Sequence, residues 1–456
     1  MKPKPNTPQG ASLKKRLDWI TTIIPFICIV ILCFLFMAFP QGSTSILESV
    51  RFFLGDQLGS YYLVIGLGAL ICSFYMAFSR YGKIKLGSLE KPQYSAFQWG
   101  SMMFTAGLAA DILFYSLCEW MLYANESHIT DMGSRQDWAS TYPLFHWGPI
   151  PWSFYIILAV SFGFMIHVRK RSKQKYSEAC RPLLGKRVDG ILGKLIDLTA
   201  VFALLAGTAT TFSLATPLLS MALSRVFGIE ESNLLTISIL VVICVVYTMA
   251  VYFGMKGVAK LAASCVYLFF ALLAYFLFLG GETRYIIETG ITAIGNLTQN
   301  FIGMATWTDA MRTSSFPQSW TIFYWAYWMV WCVATPFFIG TISKGRTIRQ
   351  TVLGGYFFGL AGTFTSFIIL GNYGLGLQMH GKLDLMALYE KTGSLYEAII
   401  AVFETMPLAQ AGLVLLAVTM IAFYATSFDA LTMRLPPISR RSHSYPRQRP
   451  AYFSFP

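Results

Sequence analysis

Runs of about 20 apolar residues recur along this chain from near the N-terminus to about residue 430, separated by short polar turns. A helix of ~20 residues covers the ~30 Å hydrocarbon core of a bilayer, and in lipid a helix satisfies every backbone polar group internally. The pattern predicts about ten spans, at about 19–39, 60–78, 94–123, 146–168, 191–225, 234–253, 258–280, 320–349, 350–373 and 408–430, numbered 1 to 10 in that order. Arg284 to Arg312 and Leu383 to Glu404 are only moderately apolar, with polar breaks, and read as helices lying at the membrane surface. Glu126 to Tyr142 reads as a mixed acidic loop. The first run lacks a small-residue cleavage site and is followed by many others, so it reads as a retained helix. The fold class is an all-α polytopic membrane protein.

Charge changes the picture by orienting it. The net charge of +13 suggests nucleic acid at first sight, but the basic residues sit in tails and short turns such as SRYGKIK and RKRSKQK. Lys/Arg-rich connections follow spans 2, 4, 6 and 8, and the others are acidic or mixed, so both termini are expected in the cytoplasm. The expected location is the plasma membrane, the inner membrane of a bacterium. Spans 3 and 8 then run in opposite directions five spans apart, the relation of equivalent helices in inverted repeats. The expected organisation is a cytoplasmic tail at 1–18, two extra helices at 19–93, a first repeat of spans 3–7 at 94–281, and an interfacial helix at 282–319. A partial second repeat of spans 8–10 follows at 320–430, then a polar, basic, Pro-rich tail at 431–456. Cys residues lie mainly in apolar spans without metal-ligand spacing. His128, His146, His167, His380 and His443 are scattered, with no nucleophile–base constellation, which argues against an enzyme.

The candidate chemistry is aromatic. Span 8 carries Trp320, Tyr324, Trp325, Tyr327, Trp328 and Trp331, and on one continuous helix Tyr324, Trp328, Trp331 and Thr335 share a face. Span 4 begins at HWGPIPW and offers Trp147, Trp152 and Tyr155, with Trp152 and Tyr155 on one face. An interfacial aromatic belt accounts for such residues at span ends. Two clusters on separate spans are also what a cage for a quaternary ammonium requires, because ring faces attract a cation that has no proton to donate, at ~2 kcal/mol or more per desolvated contact. Span 3 has the small residues Ala106, Gly107, Ala109 and Ala110 before Asp111. A carboxylate at that depth faces a partner, a cavity or a transported ion. Thr426 and Ser427 of span 10 put hydroxyl oxygens deep in an apolar helix, either as cation ligands or bonded back to their own helix.

These residues together resemble the betaine/carnitine/choline transporter family. The matching strings are FHWGPIPW with Tyr155, FYWAYWMVW…ISKGRTIR, LATPLL of span 5 and FYATS of span 10, and the resemblance as a whole covers about residues 15–430. The likeness is strongest to the carnitine branch around SFPQSWTIFYWAYW and LFHWGPIPW. The resemblance implies two five-helix inverted repeats of the leucine-transporter type after two extra helices, commonly assembled as a homotrimer. It implies secondary active transport of carnitine, choline or glycine betaine. By match to the family motif, Trp147, Trp152 and Tyr155 form one side of an aromatic box and Trp328 the other. Trp331 matches a further aromatic of the pathway or site, and Tyr327 stands where a Trp is usual.

Three departures qualify this. Asp111 occupies a position where glycine betaine carriers have Gly and choline-type members are acidic, which favours a net positive solute and, if the group takes up a proton, allows proton coupling. Cys265 and Thr335 stand where the sodium-independent carnitine exchangers have Arg and Met, and Thr426 and Ser427 match the hydroxyl ligands of sodium-coupled members. The companions implied are carbonyls near Thr105, Leu108 and Phe423. No cofactor is expected, with Na⁺ or H⁺ as coupling ion and a sodium-independent exchanger as the alternative. The tail after Met433 does not match the family's last two helices, so a truncated, binding-only or inactive product is a second alternative.

Overall fold

The structure is a computed structural model that describes residues 19–107, 110–171, 175–252 and 254–432, and their side chains except at 19–22, 247, 250–251, 254–259 and 426–432. Among the described residues every regular element is helical, apart from an isolated antiparallel bridge between Lys85 and Thr347. The apolar runs become the helices Gly59–Phe78, Arg135–Val168, Ile191–Phe227, Lys260–Leu279 and Ile348–Met379, the shorter Asn233–Val246 and Ala409–Ala425, and three bent pairs. Val64, Ile71, Tyr75, Val241 and Val245 point outward and exposed, as side chains facing lipid do.

The bent pairs carry most of the new information. Span 1 turns by 119° into an amphipathic helix that begins at Pro40, where the missing N–H costs nothing. Span 3 is broken into Ala96–Ala106 and Ala110–Ala124, 62° apart. Span 8 is broken into Pro317–Trp331 and Thr335–Ile342, 55° apart. The two helices expected to be equivalent in the repeats are therefore both broken near their middle. Pro336 has no N–H to bond the carbonyl of Cys332, and that carbonyl accepts the Tyr176 hydroxyl instead. Cys332 and Ala334 donate three residues back, to Met329 and Trp331, which tightens the chain into the break. This corrects the single-helix reading of span 8: Tyr324, Trp328 and Trp331 remain on one helix, and Thr335 starts another.

A second correction concerns residues 126–142. They form the helices Ser127–Asp131 and Arg135–His146, not a loop. Ser134 caps the second by accepting the Asp137 N–H at 3.2 Å. That helix passes through Trp147 and Gly148, which are not helical, into Pro149–Gly163. The segments at Thr283–Thr306 and Leu385–Glu404 are helical as expected, the second as two short helices.

Apolar burial drives little helix association within lipid, so close fit and interhelical hydrogen bonds carry the packing. Tyr356 of span 9 meets Ser73 of span 2 at 2.6 Å, and Ser140 donates to Asn372 at 2.7 Å. On the basic side, Arg346 lies 4.2 Å over the Trp99 ring and donates to the carbonyls of Tyr94 and Ser95 at 3.1 Å each. The turn after span 8 is thereby fastened to the start of span 3.

Candidate substrate site

The break in span 3 and the aromatic half of span 8 face one another, and the start of span 4 fills the space between them. Trp328 is the hub. Its ring centroid lies 4.9 Å from Tyr155, 5.5 Å from Trp147 and 5.7 Å from Trp152. Interplanar angles of 54°, 64° and 59° make these rings walls that meet in corners, not a flat stack. All four are buried, and the indole N–H groups of Trp152 and Trp328 have no acceptor among the described residues.

Trp152 is held in a slot cut by two glycines. A Cβ at Gly107, in the break of span 3, would collide with its six-membered ring, and one at Gly359 of span 9 would come within 2.7 Å of it. The absence of side chains at these positions lets two backbones clamp the indole and set its orientation.

Asp111 sits in the first turn after the break, where the helix N-terminus favours negative charge. It is 2% exposed. Its Oδ2 accepts the Tyr327 hydroxyl and, at 3.3 Å, the Thr211 hydroxyl of span 5. Tyr327 thus does two things: its hydroxyl binds the carboxylate and its ring meets Trp147 at 6.2 Å. Trp331 lies apart from the cage. A Cβ on Gly207 of span 5 would come within 3.2 Å of its indole, and among the described residues Trp331 makes no ring contact with the other four.

The cation-site residues are only partly visible. Leu108 and the side chains of Thr426 and Ser427 lie outside the described residues. Thr105 bonds its hydroxyl back to Ser101 and Met102, and its carbonyl, at the end of the first half of span 3, accepts the Gly107 N–H. Phe423 is buried with its ring 6.0 Å from Phe269.

Sequence reasoning missed several residues at this site. Thr211 lies in a small-residue run that hides it. Tyr115 reaches Trp147 at 5.6 Å, Tyr324 at 6.0 Å and Tyr327 at 6.4 Å. Glu119 accepts the Trp147 indole N–H at 2.7 Å. The available signal is spacing: Asp111, Tyr115, Glu119 and Tyr123 recur every fourth residue, one face of a helix.

Residues 20–453 match the model of the betaine/carnitine/choline family transporters, so the match also takes in the polar tail as far as residue 453. The Glycine betaine transporter OpuD of Bacillus subtilis (strain 168) is 31% identical over 405 residues, 87% of this chain and 77% of that protein. A Probable glycine betaine transporter of Desulfitobacterium hafniense (strain Y51) is 32% identical over 317 residues, 69% of this chain and 63% of that protein.

Proposed function

This chain belongs to the betaine/carnitine/choline transporter family, and on that premise we propose that it moves a quaternary-ammonium solute across the membrane by secondary active transport. The observation that carries this reading is the meeting of Trp147, Trp152 and Tyr155 of span 4 with Trp328 of span 8. A trimethylammonium group offers no N–H, so hydrogen-bond acceptors cannot select it, whereas ring faces can. Several desolvated contacts at about 2 kcal/mol each give useful affinity once the cost of association is met.

Asp111 supports a net positive solute, choline before glycine betaine. A carboxylate on the solute within ~4 Å of Asp111 would be repelled by about 4 kcal/mol at an effective dielectric of 20. The relatives above are named for glycine betaine, so this preference is where the chain is expected to differ from them. Coupling to Na⁺ or H⁺ is favoured over sodium-free exchange by the oxygen-bearing residues at 105 and 426–427 and by Thr335. The two broken spans supply the discontinuous helices around which one bundle can rock against the other in alternating access.

Proteoliposomes holding the purified full chain test this. Uptake of choline, carnitine or glycine betaine should rise with an inward Na⁺ or proton gradient. Counterflow indifferent to both gradients would identify an exchanger. Saturable binding without flux would identify a binding-only protein.

A further inference from the structure

The buried face of Ala110–Ala124 carries a second carboxylate two turns beyond Asp111. Glu119 is fully buried and accepts hydrogen bonds from two side chains, one on its own helix and one from the start of span 4. Its Oε2 accepts the Trp147 indole N–H at 2.7 Å, and its Oε1 accepts the Tyr123 hydroxyl. Tyr123 also meets Nδ1 of His146 at 2.5 Å, and Nε2 of His146 meets the Thr321 hydroxyl at 3.0 Å. With Glu119 ionised, one consistent set of donors runs along the chain: Thr321 to His146, His146 to Tyr123, Tyr123 to Glu119. The result is a buried line of bonds from the first turns of span 8 to the carboxylate, ending on the indole of a cage residue.

Trp147 is the cage residue most in need of such an anchor. It follows the last residue of Arg135–His146 with φ −110° and ψ 20°, and Gly148 comes after it, so no regular helix constrains its side chain from either end. Its ring nevertheless meets Trp328, Tyr324, Tyr115 and Phe367 within 5.6 Å. The hydrogen bond from the N–H to this carboxyl group fixes the rotation that decides which face of the ring looks into the cage.

We propose that Glu119 is a positioning residue for solute binding: its carboxylate holds the Trp147 ring in its cage orientation, and Tyr123, His146 and Thr321 hold the carboxylate. Glu119 acts through Trp147 and does not itself touch the solute. This rests on the cage being a quaternary-ammonium site.

Binding of radiolabelled choline and glycine betaine to the purified full chain, with Trp147→Phe, Glu119→Gln, Tyr123→Phe and the paired variants, tests the inference. Phenylalanine keeps a ring but has no N–H. Glu119→Gln leaves one acceptor oxygen for the two donors that meet Glu119 and is expected to weaken binding about tenfold, the effect of one donor left unpaired in a buried place. Tyr123→Phe is expected to weaken it a few-fold. In the Trp147→Phe background each of these changes should cost less than about twofold, because the bond they disturb is already gone. The same loss in both backgrounds, or wild-type affinity in Glu119→Gln, overturns the proposal. If Glu119→Gln does not fold, Tyr123→Phe alone and in the Trp147→Phe background carries the same comparison. A wild-type chain that binds neither solute overturns the quaternary-ammonium reading and this inference with it; wild-type binding with unaffected variants overturns the inference alone.

Discussion

The Tyr327 hydroxyl donates a hydrogen bond to the buried carboxylate of Asp111, joining the second half of broken span 3 to the first half of broken span 8. The pair brings a carboxyl group to the edge of the aromatic cage and fastens the two discontinuous helices to each other. Asp111→Gly is expected to shift the ratio of choline to glycine betaine affinity at least tenfold toward betaine, since a repulsion of even about 1.4 kcal/mol is worth a factor of ten. Tyr327→Phe leaves the carboxylate short of one donor and should weaken both solutes together. Competition binding with the two solutes measures both effects; an unchanged ratio in Asp111→Gly would rule out the carboxylate as the source of selectivity.

The clamp on Trp152 yields a different kind of test. An Ala at position 359 would put a methyl 2.7 Å from three atoms of a fully buried indole. Overpacking of this sort costs about 1–3 kcal/mol, relieved here by tilting the ring. Gly359→Ala should lower choline affinity roughly tenfold. Gly68→Ala, at an exposed position in span 2 with nothing within 4 Å, should leave it unchanged.

Far from the cage, Arg346 stacks on Trp99 and reaches two carbonyls at the start of span 3. Lysine cannot reproduce the planar stack and the fork together. Arg346→Lys is expected to cost about 1–3 kcal/mol and to lower the thermal midpoint of the detergent-solubilised protein. Arg284→Lys, in an exposed pair with Glu288, should not change the midpoint measurably.

The loop before span 8 gives an acid-sensitive element. Burial would raise the pKa of Asp309, but donors from Ser314, Ser315 and Thr313 outweigh it and hold the carboxyl well below the usual range. A depressed folded-state pKa contributes stability that is complete above the unfolded value of about 3.9 and lost as pH falls toward the folded value. Asp309→Asn should therefore unfold at lower temperature than wild type at pH 7, with the gap closing below about pH 4. A gap that is constant with pH would show that the loop's stability does not depend on the charge.

The spans are legible in the sequence because lipid demands a run of apolar residues of set length, and composition reports that demand directly. The meeting of the aromatic rings is anticipated too, because Trp147, Trp152, Tyr155 and Trp328 lie in strings whose family resemblance implies a shared box. Composition says nothing about whether an apolar span is straight, and only Pro336 marks the break that separates Thr335 from the cage helix. Helix Arg135–His146 is hidden for the opposite reason. It faces protein on one side and carries Arg135, Gln136 and Asp137 in its first turn, so hydropathy reads it as loop. The role of Glu119 needs the third dimension, because Trp147, its partner, lies in a different segment of the chain.

Trp328 and the span 4 rings are proposed as the site for a quaternary-ammonium group, and the transport reading depends on this above all. The most direct test is equilibrium binding of choline and glycine betaine to the purified protein and to Trp328→Ala, with Trp331→Ala as comparison. The expected result is saturable wild-type binding that weakens at least a hundredfold in Trp328→Ala, the loss of about 3 kcal/mol of ring contacts, and far less in Trp331→Ala. Wild-type affinity in Trp328→Ala would contradict the assignment.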